Sequence, residues 1–186
     1  MTQVYFVRHA QSDNTNPNQY LRALTETGQA GAKQVAIVLQ NVSIDAMYAS
    51  TYLRTSQTLA PLAKLKGLKI RQLENLRERE MMEALFSGNF DQYMEHQWAD
   101  LTYAAEGCES LLTVQKRNIE AVNQIVAAHP KQTVVVGTHG CALSTILHYY
   151  MDYGLKGYLY MKPHAPYIIR LDYENGEMIK MTEIML

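Results

Sequence analysis

The sequence predicts an α/β sandwich, with helices on both sides of a mainly parallel central sheet and a C-terminal antiparallel hairpin. Three observations predict it. Residues 3–7 (QVYFV) and 133–137 (TVVVG) are short, continuous apolar runs rich in β-branched residues, as parallel strands covered on both faces are. Strand candidates alternate with amphipathic helical segments, giving strand, helix, strand units. The tail APYIIRLDYENGEMIKMTEIML alternates around Asn175-Gly176, the strongest short hairpin signal, and adds antiparallel strands at a sheet edge.

Between the two apolar runs, DAMYA (45–49) and KIRQL (69–73) are weaker strand candidates. LTETGQAGAKQVAIVLQ carries Ala32, Val35, Val38 and Leu39 at helical spacing, with Thr25 as the cap. The next helix begins near Thr51 and runs towards Lys66, ending at Gly67. Pro61 lacks a backbone donor and predicts a kink or restart there. A longer helix from about Ser110 to Ala128 sets Leu111, Val114, Val122 and Ile125 near one face and stops at His129-Pro130. Another follows Gly140 through CALSTILHYYM. Residues 84–107 hold Phe86, Phe90, Tyr93, Trp98 and Tyr103 without a decisive period, and are read as a helical cap above the sheet.

A chain of 186 residues, 47% hydrophobic, can bury one substantial core, so residues 1–186 are expected to form a single domain. A net charge of −1 excludes a protein that wraps nucleic acid, which needs a clear basic excess, and leaves any anion site local. Cys108 and Cys141 form no CxxC pair and read as free thiols of a reducing compartment. With no signal-peptide pattern before VYFV and no apolar run of membrane-spanning length, the expectation is a soluble, cytoplasmic protein.

In an open parallel sheet the carboxyl ends of the strands border the ligand crevice. The first apolar run ends on Arg8 and His9, and the second delivers GTHGC, so His9 and His139 share one topological position. His139, Gly140 and the amides after them stand at a helix N-terminus suited to phosphate oxygens, to which Arg8 adds a fork. Arg54 falls in the first turn of the helix after DAMYA, where a cation opposes the helix dipole unless an anion lies between.

VRHAQS, LTETGQAGA, YASTYLRTSQT, LRERE, GCES and GTHGCALSTIL occur together in one order, and from Val4 to about Leu147 the chain resembles the phosphoglycerate mutase-like branch of the histidine phosphatase superfamily. The resemblance implies a three-layer α/β/α fold and a reaction through a phosphohistidine without metal or other cofactor. It makes His9 the nucleophile, Arg8 and Arg54 phosphate clamps, His139 the second phosphate-binding histidine with Gly140 beside it, and Glu78 the proton donor. Glu80 and Glu83 stay open as alternatives to Glu78. The family's asparagine position falls on Thr15; Asn14 is the candidate phosphate ligand, and the choice among Asn14, Thr15 and Asn16 stays open. Ala10 replaces a commoner glycine and is expected to set a methyl group near the phosphate.

The chemistry is coherent. A neutral imidazole attacks phosphorus while two arginines neutralise the transferring group, and a glutamate supplies a proton to the leaving oxygen. His96, His129, His148 and His164 read as structural or surface residues, and no HExxH, Cys/His cluster or GxGxxG supports a metal or a nicotinamide. The leading function is a phosphatase acting on a small phosphomonoester. The alternatives are a mutase moving phosphate between hydroxyls and a low-turnover phospho-ligand sensor. Oligomeric state is open.

Overall fold

The computed structural model describes residues 1–82 and 90–186. Among them are six strands, β1 (Thr2–Arg8), β2 (Ala46–Ala49), β3 (Ile70–Gln72), β4 (Thr133–Thr138), β5 (Tyr167–Glu174) and β6 (Glu177–Ile184). They form one sheet in the order β3-β2-β4-β1-β5-β6. The β3/β2, β2/β4 and β4/β1 pairs are parallel, and β1/β5 and β5/β6 are antiparallel. The mainly parallel sheet and its closing hairpin are therefore as the sequence predicts. Asn175 (φ 52°) and Gly176 (φ 88°) make the hairpin turn, the left-handed backbone that a two-residue connection requires.

Alternation along the central strands feeds two cores. Tyr5, Val7 and Val135 point to the face covered by α1 (Glu26–Leu39) and α2 (Leu53–Lys66), where they meet Val35, Leu39, Leu59 and Leu62. Val4, Phe6, Val134 and Val136 point to the other face. There they meet Val122 and Ile125 of α4 (Leu111–Ala128) and Leu143 and Ile146 of α5 (Gly140–Tyr150). Each such side chain, taken fully out of water, contributes roughly 1.5–3 kcal/mol, so the pairing register of the central strands is strongly fixed.

Thr25 caps α1, its hydroxyl accepting from the Gly28 amide, and Ser110 caps α4 through the Thr113 amide. Helix α2 starts at Leu53 and ends at Gly67 in the left-handed conformation. Of the kink or restart expected at Pro61, the restart does not occur: α2 is one helix from Leu53 to Lys66. Proline removes a single intrahelical bond, and Leu59, Leu62 and Ala63 around it are anchored in the core.

Of the aromatic segment 84–107, residues 84–89 lie outside the described residues; the rest contains α3 (Phe90–Ala99). Helix α6 (Gly154–Met161) was not expected, because Gly154 and Gly157 weaken the helical signal of this segment. No helix among the described residues is long and apolar enough to cross a membrane.

Candidate active site

Parallel pairing sets Arg8 of β1 level with Thr138 of β4, and the His9 amide donates to the Thr138 carbonyl at 2.9 Å. The next residue on each strand is a histidine, and the two rings lie edge to face with centroids 5.3 Å apart. His9 Nδ1 is 2.7 Å from the Ala10 carbonyl oxygen. A carbonyl only accepts, so Nδ1 carries the hydrogen and the Nε2 lone pair is left for chemistry. The Ala10 amide donates to Thr58 Oγ1 at 3.0 Å, and Thr58 in turn donates to the Arg54 carbonyl at 2.7 Å. The Ala10 methyl does not face the site as expected: it is fully buried in a small cluster with Leu24 and Ala32.

His139 is fully buried. Arg54 Nη2 donates to its Nδ1 at 3.1 Å, so Nε2 carries the hydrogen and donates to Ser50 Oγ at 2.7 Å. Arg54 Nη1 donates to the Gln19 carbonyl at 2.8 Å, and its guanidinium stands 4.7 Å from the Tyr52 ring centre. This cation is drawn off the end of its own helix. Arg8 Nη1 meets the carbonyls of Met161 (2.7 Å), Lys162 (3.0 Å) and His164 (2.6 Å), at and just beyond the C-terminus of α6. A Cβ on Gly140 would stand 3.2 Å from Arg8 Nε, so the glycine lets the guanidinium lie close over the backbone. The Nε atoms of Arg8 and Arg54 are buried and carry no hydrogen bond among the described residues.

Burial, and then the positive charge of Arg54, hold His9 and His139 well below the usual imidazole pKa. Both rings are therefore neutral in the unliganded site near neutral pH. Burial also brings Arg54 down to about 10, which leaves it charged.

Glu78 closes the group. Its Oε2 accepts from the Cys141 amide at 3.0 Å, and its Oε1 from the amides of Ala142 (3.0 Å) and Arg79 (2.8 Å). The amides after Gly140, expected to face a phosphate, are thus occupied by a carboxylate at the α5 N-terminus. Burial pushes the Cys141 thiol up to about 12, so that sulfur is an inert wall. Glu80 faces outward, 3.8 Å from Arg77 and largely exposed, and Glu83 lies outside the described residues. Asn14 sits on an exposed turn, without a hydrogen bond among the described residues. Thr15 is bound to Asp13, and Asn16 to Asn18 and Arg22. His9, Arg8, Arg54, His139, Gly140 and Glu78 come together beyond the carboxyl ends of the central strands β1 and β4; Asn14 is not tied to them.

The family model for the histidine phosphatase superfamily (branch 1) matches residues 4–183. The chain belongs to this superfamily. It is 29% identical over 152 residues to phosphoserine phosphatase 1 of Hydrogenobacter thermophilus, covering 75% of this chain and 71% of that protein. Its fold resembles Bacillus stearothermophilus YhfR (TM-score 0.79, 24% identity, 96% of this chain and 95% of the other). It also resembles a mycobacterial glucosyl-3-phosphoglycerate phosphatase in complex with VO3 (TM-score 0.76, 20% identity, 99% and 98%).

Sequence reasoning passed over the residues that hold Glu78 in place in this histidine phosphatase superfamily member. Glu109, in the GCES motif, receives Arg77 Nη1 and Nη2 at 2.6 and 2.9 Å, Arg117 Nε and Nη2 at 3.1 and 2.9 Å, and the Glu80 amide at 2.9 Å. Arg117 also donates to the carbonyls of Asn75, Arg77 and Glu78. Burial alone would raise the Glu109 pKa, but the Arg117 and Arg77 hydrogen bonds outweigh it and bring it down to about 2. Ser50, which orients His139, also went unmarked. Its only sequence signal was its place in the YASTYLRTSQT motif.

Proposed function

We propose that the protein is a metal-independent phosphatase that hydrolyses a small phosphomonoester through a phosphohistidine on His9. The observation that carries this reading is the His9 ring, tied by Nδ1 to the Ala10 carbonyl and held neutral beside Arg54. Nε2 forms the bond to phosphorus as the bond to the alcohol oxygen breaks; Arg8, Arg54 and the Gly140 amide take the charge on the phosphoryl oxygens, and His139 holds Arg54 against them through Nδ1. Glu78 gives the departing oxygen its proton. It then accepts one from the water that attacks the phosphohistidine, releasing phosphate and restoring His9. The phosphatases among its relatives support this reading. We place all of residues 1–186 in one catalytic unit, with 90–107 as part of a cap, because Gln97 of α3 reaches the segment that carries Glu78.

Phosphate release from a panel of phosphorylated metabolites and an aryl phosphate, with a chelator present, tests it. Activity that resists the chelator and vanishes in His9→Ala is the expected result. An acid-labile phosphoryl label should be trapped on the wild type and be absent from the variant. Retained turnover in His9→Ala rejects the nucleophile.

A further inference from the structure

Thr58 lies one turn after Arg54 in α2, is fully buried, and has no part in the chemistry above. Its hydroxyl stands between two backbone groups: the Ala10 amide donates to Oγ1 at 3.0 Å, and Oγ1 donates to the Arg54 carbonyl at 2.7 Å. An amide only donates, so the hydroxyl hydrogen is committed to the Arg54 carbonyl and a lone pair is left for Ala10. By itself a bond to the carbonyl one turn back slightly destabilises a helix. Its effect here is to aim that lone pair at the loop after β1.

What the lone pair holds is the support of the candidate nucleophile. Ala10 has its N–H on Thr58 and its carbonyl against His9 Nδ1 at 2.7 Å. On one side of it the His9 amide is tied to the Thr138 carbonyl of β4 at 2.9 Å, and on the other the Gln11 carbonyl takes the amide of Thr25, the α1 cap, at 3.1 Å. Thr58 supplies the anchor between them, on the helix that carries Arg54. The adjacent Gln57 accepts the Leu24 amide through Oε1 at 2.8 Å, so the Gln57-Thr58 pair grips the loop after β1 at both ends. The His9 ring and the Arg54 backbone are thus referred to a single hydroxyl. We propose that Thr58 is a positioning residue: its hydroxyl fixes the Ala10 peptide, which holds His9 in the Nδ1–H tautomer and sets Nε2 at a fixed place relative to Arg54. The inference deepens the phosphatase reading and rests on it for what Nε2 does.

Thr58→Val keeps the shape of the side chain and removes the hydroxyl, whereas Thr58→Ser keeps the hydroxyl. Two-bond proton–nitrogen spectra of the unliganded, nitrogen-15-labelled protein read the tautomer of His9, whose signals are those missing from His9→Ala. The Nδ1–H form is expected in the wild type and in Thr58→Ser, and a mixture with the Nε2–H form in Thr58→Val. On the best phosphomonoester, kcat should fall about tenfold to a hundredfold in Thr58→Val, the scale of a misplacement of about 1 Å, with KM held within about threefold. The fall should be the same for alkyl and aryl esters, because the nucleophile rather than the leaving group is affected. Thr58→Ser should stay within about threefold of the wild type in both constants, since the hydroxyl is retained. If Thr58→Val does not fold, Thr58→Ala decides by the same measurements, since it also lacks the hydroxyl and places the best helix former inside α2. A folded hydroxyl-free variant that retains either the wild-type tautomer or the wild-type kcat overturns the proposal, and so does a Thr58→Ser protein that behaves as Thr58→Val does. If the wild type releases phosphate from no ester, the phosphatase reading fails, and the spectra alone decide whether Thr58 fixes the ring.

Discussion

Arg117 lies side by side with Glu109, Nε to Oε1 at 3.1 Å and Nη2 to Oε2 at 2.9 Å, and the same arginine binds the Glu78 carbonyl at 3.0 Å. One ion pair thus fixes the backbone that presents the candidate proton donor. Glu109→Ala leaves Arg77 and Arg117 without their shared carboxylate, and breaking such a buried pair costs about 3–5 kcal/mol. A shift of about 1 Å in Glu78 is enough to lower turnover by about 100-fold. Thermal melting and kcat on the best phosphomonoester check both; an unchanged kcat in a folded Glu109→Gln protein removes the positioning role.

Glu78→Gln separates proton donation from placement. The amide keeps one acceptor oxygen for the α5 amides but carries no transferable proton. Loss of a general acid costs about 100-fold to 10,000-fold when the leaving alcohol needs protonation. An aryl phosphate, whose leaving group departs unprotonated, should lose far less. Equal losses on alkyl and aryl esters would remove Glu78 from the acid role.

Acid should weaken the fold in two stages. His9 and His139 have folded pKa values well below 6.5, so the unfolded chain binds more protons than the folded one as pH falls below about 6.5. Stability is therefore full above that value and declines below it, by up to about 1.4 kcal/mol per pH unit for each ring. Glu109 is also depressed, to about 2, so its contribution is present above about 4.5 and lost as pH falls towards 2. Urea midpoints between pH 8 and 4 measure the first stage, and His139→Phe should flatten it. A stability that does not change from pH 7 to 5 contradicts neutral burial of the two rings.

How much of this could be read from the chain depended on distance along it. The β1 and β4 runs, and the polar residues at their ends, are local patterns, so His9 and His139 were legible together with the sheet that aligns them. The Arg77, Glu109 and Arg117 cluster joins residues up to 40 positions apart, and a charge run such as RERE looks the same on a solvated surface. Arg8 could be assigned to phosphate, but not to the α6 carbonyls, because α6 itself was hidden by its glycines. Ala10 was misread for a related reason: the direction of one methyl depends on how the loop after β1 packs on α1.

Ser50→Ala isolates the orientation of His139. The substitution strands the His139 Nε2 hydrogen, now donated to Ser50 Oγ at 2.7 Å, in a fully buried position. An unsatisfied buried donor costs about 1–3 kcal/mol. With the ring free to turn, Arg54 loses the Nδ1 acceptor that positions its Nη2, and kcat should fall about tenfold or more as this phosphoryl clamp is misaligned. Ser50→Thr, which keeps the hydroxyl, should retain more activity than Ser50→Ala.

Gly28→Ala sets helix propensity against packing, and the two predict opposite signs. Gly28 lies inside α1, where alanine would by propensity add about 1 kcal/mol of stability. A Cβ there would stand 2.0 Å from the Gln11 carbonyl oxygen and 3.2 Å from Leu24 Cβ. The Gln11 carbonyl cannot simply move aside, because it accepts the Thr25 amide at 3.1 Å while Thr25 caps the same helix. Either α1 lifts from the sheet or the loop after β1 moves, and forced overpacking of this kind costs about 1–3 kcal/mol. Gln11 is two residues beyond His9, so displacement of the loop also shifts the Ala10 carbonyl that orients the ring. The expected outcome is a lower melting temperature together with a lower kcat. A more stable Gly28→Ala protein with full activity would mean that the close contact between α1 and this loop yields freely, and that the glycine serves neither the helix nor the histidine.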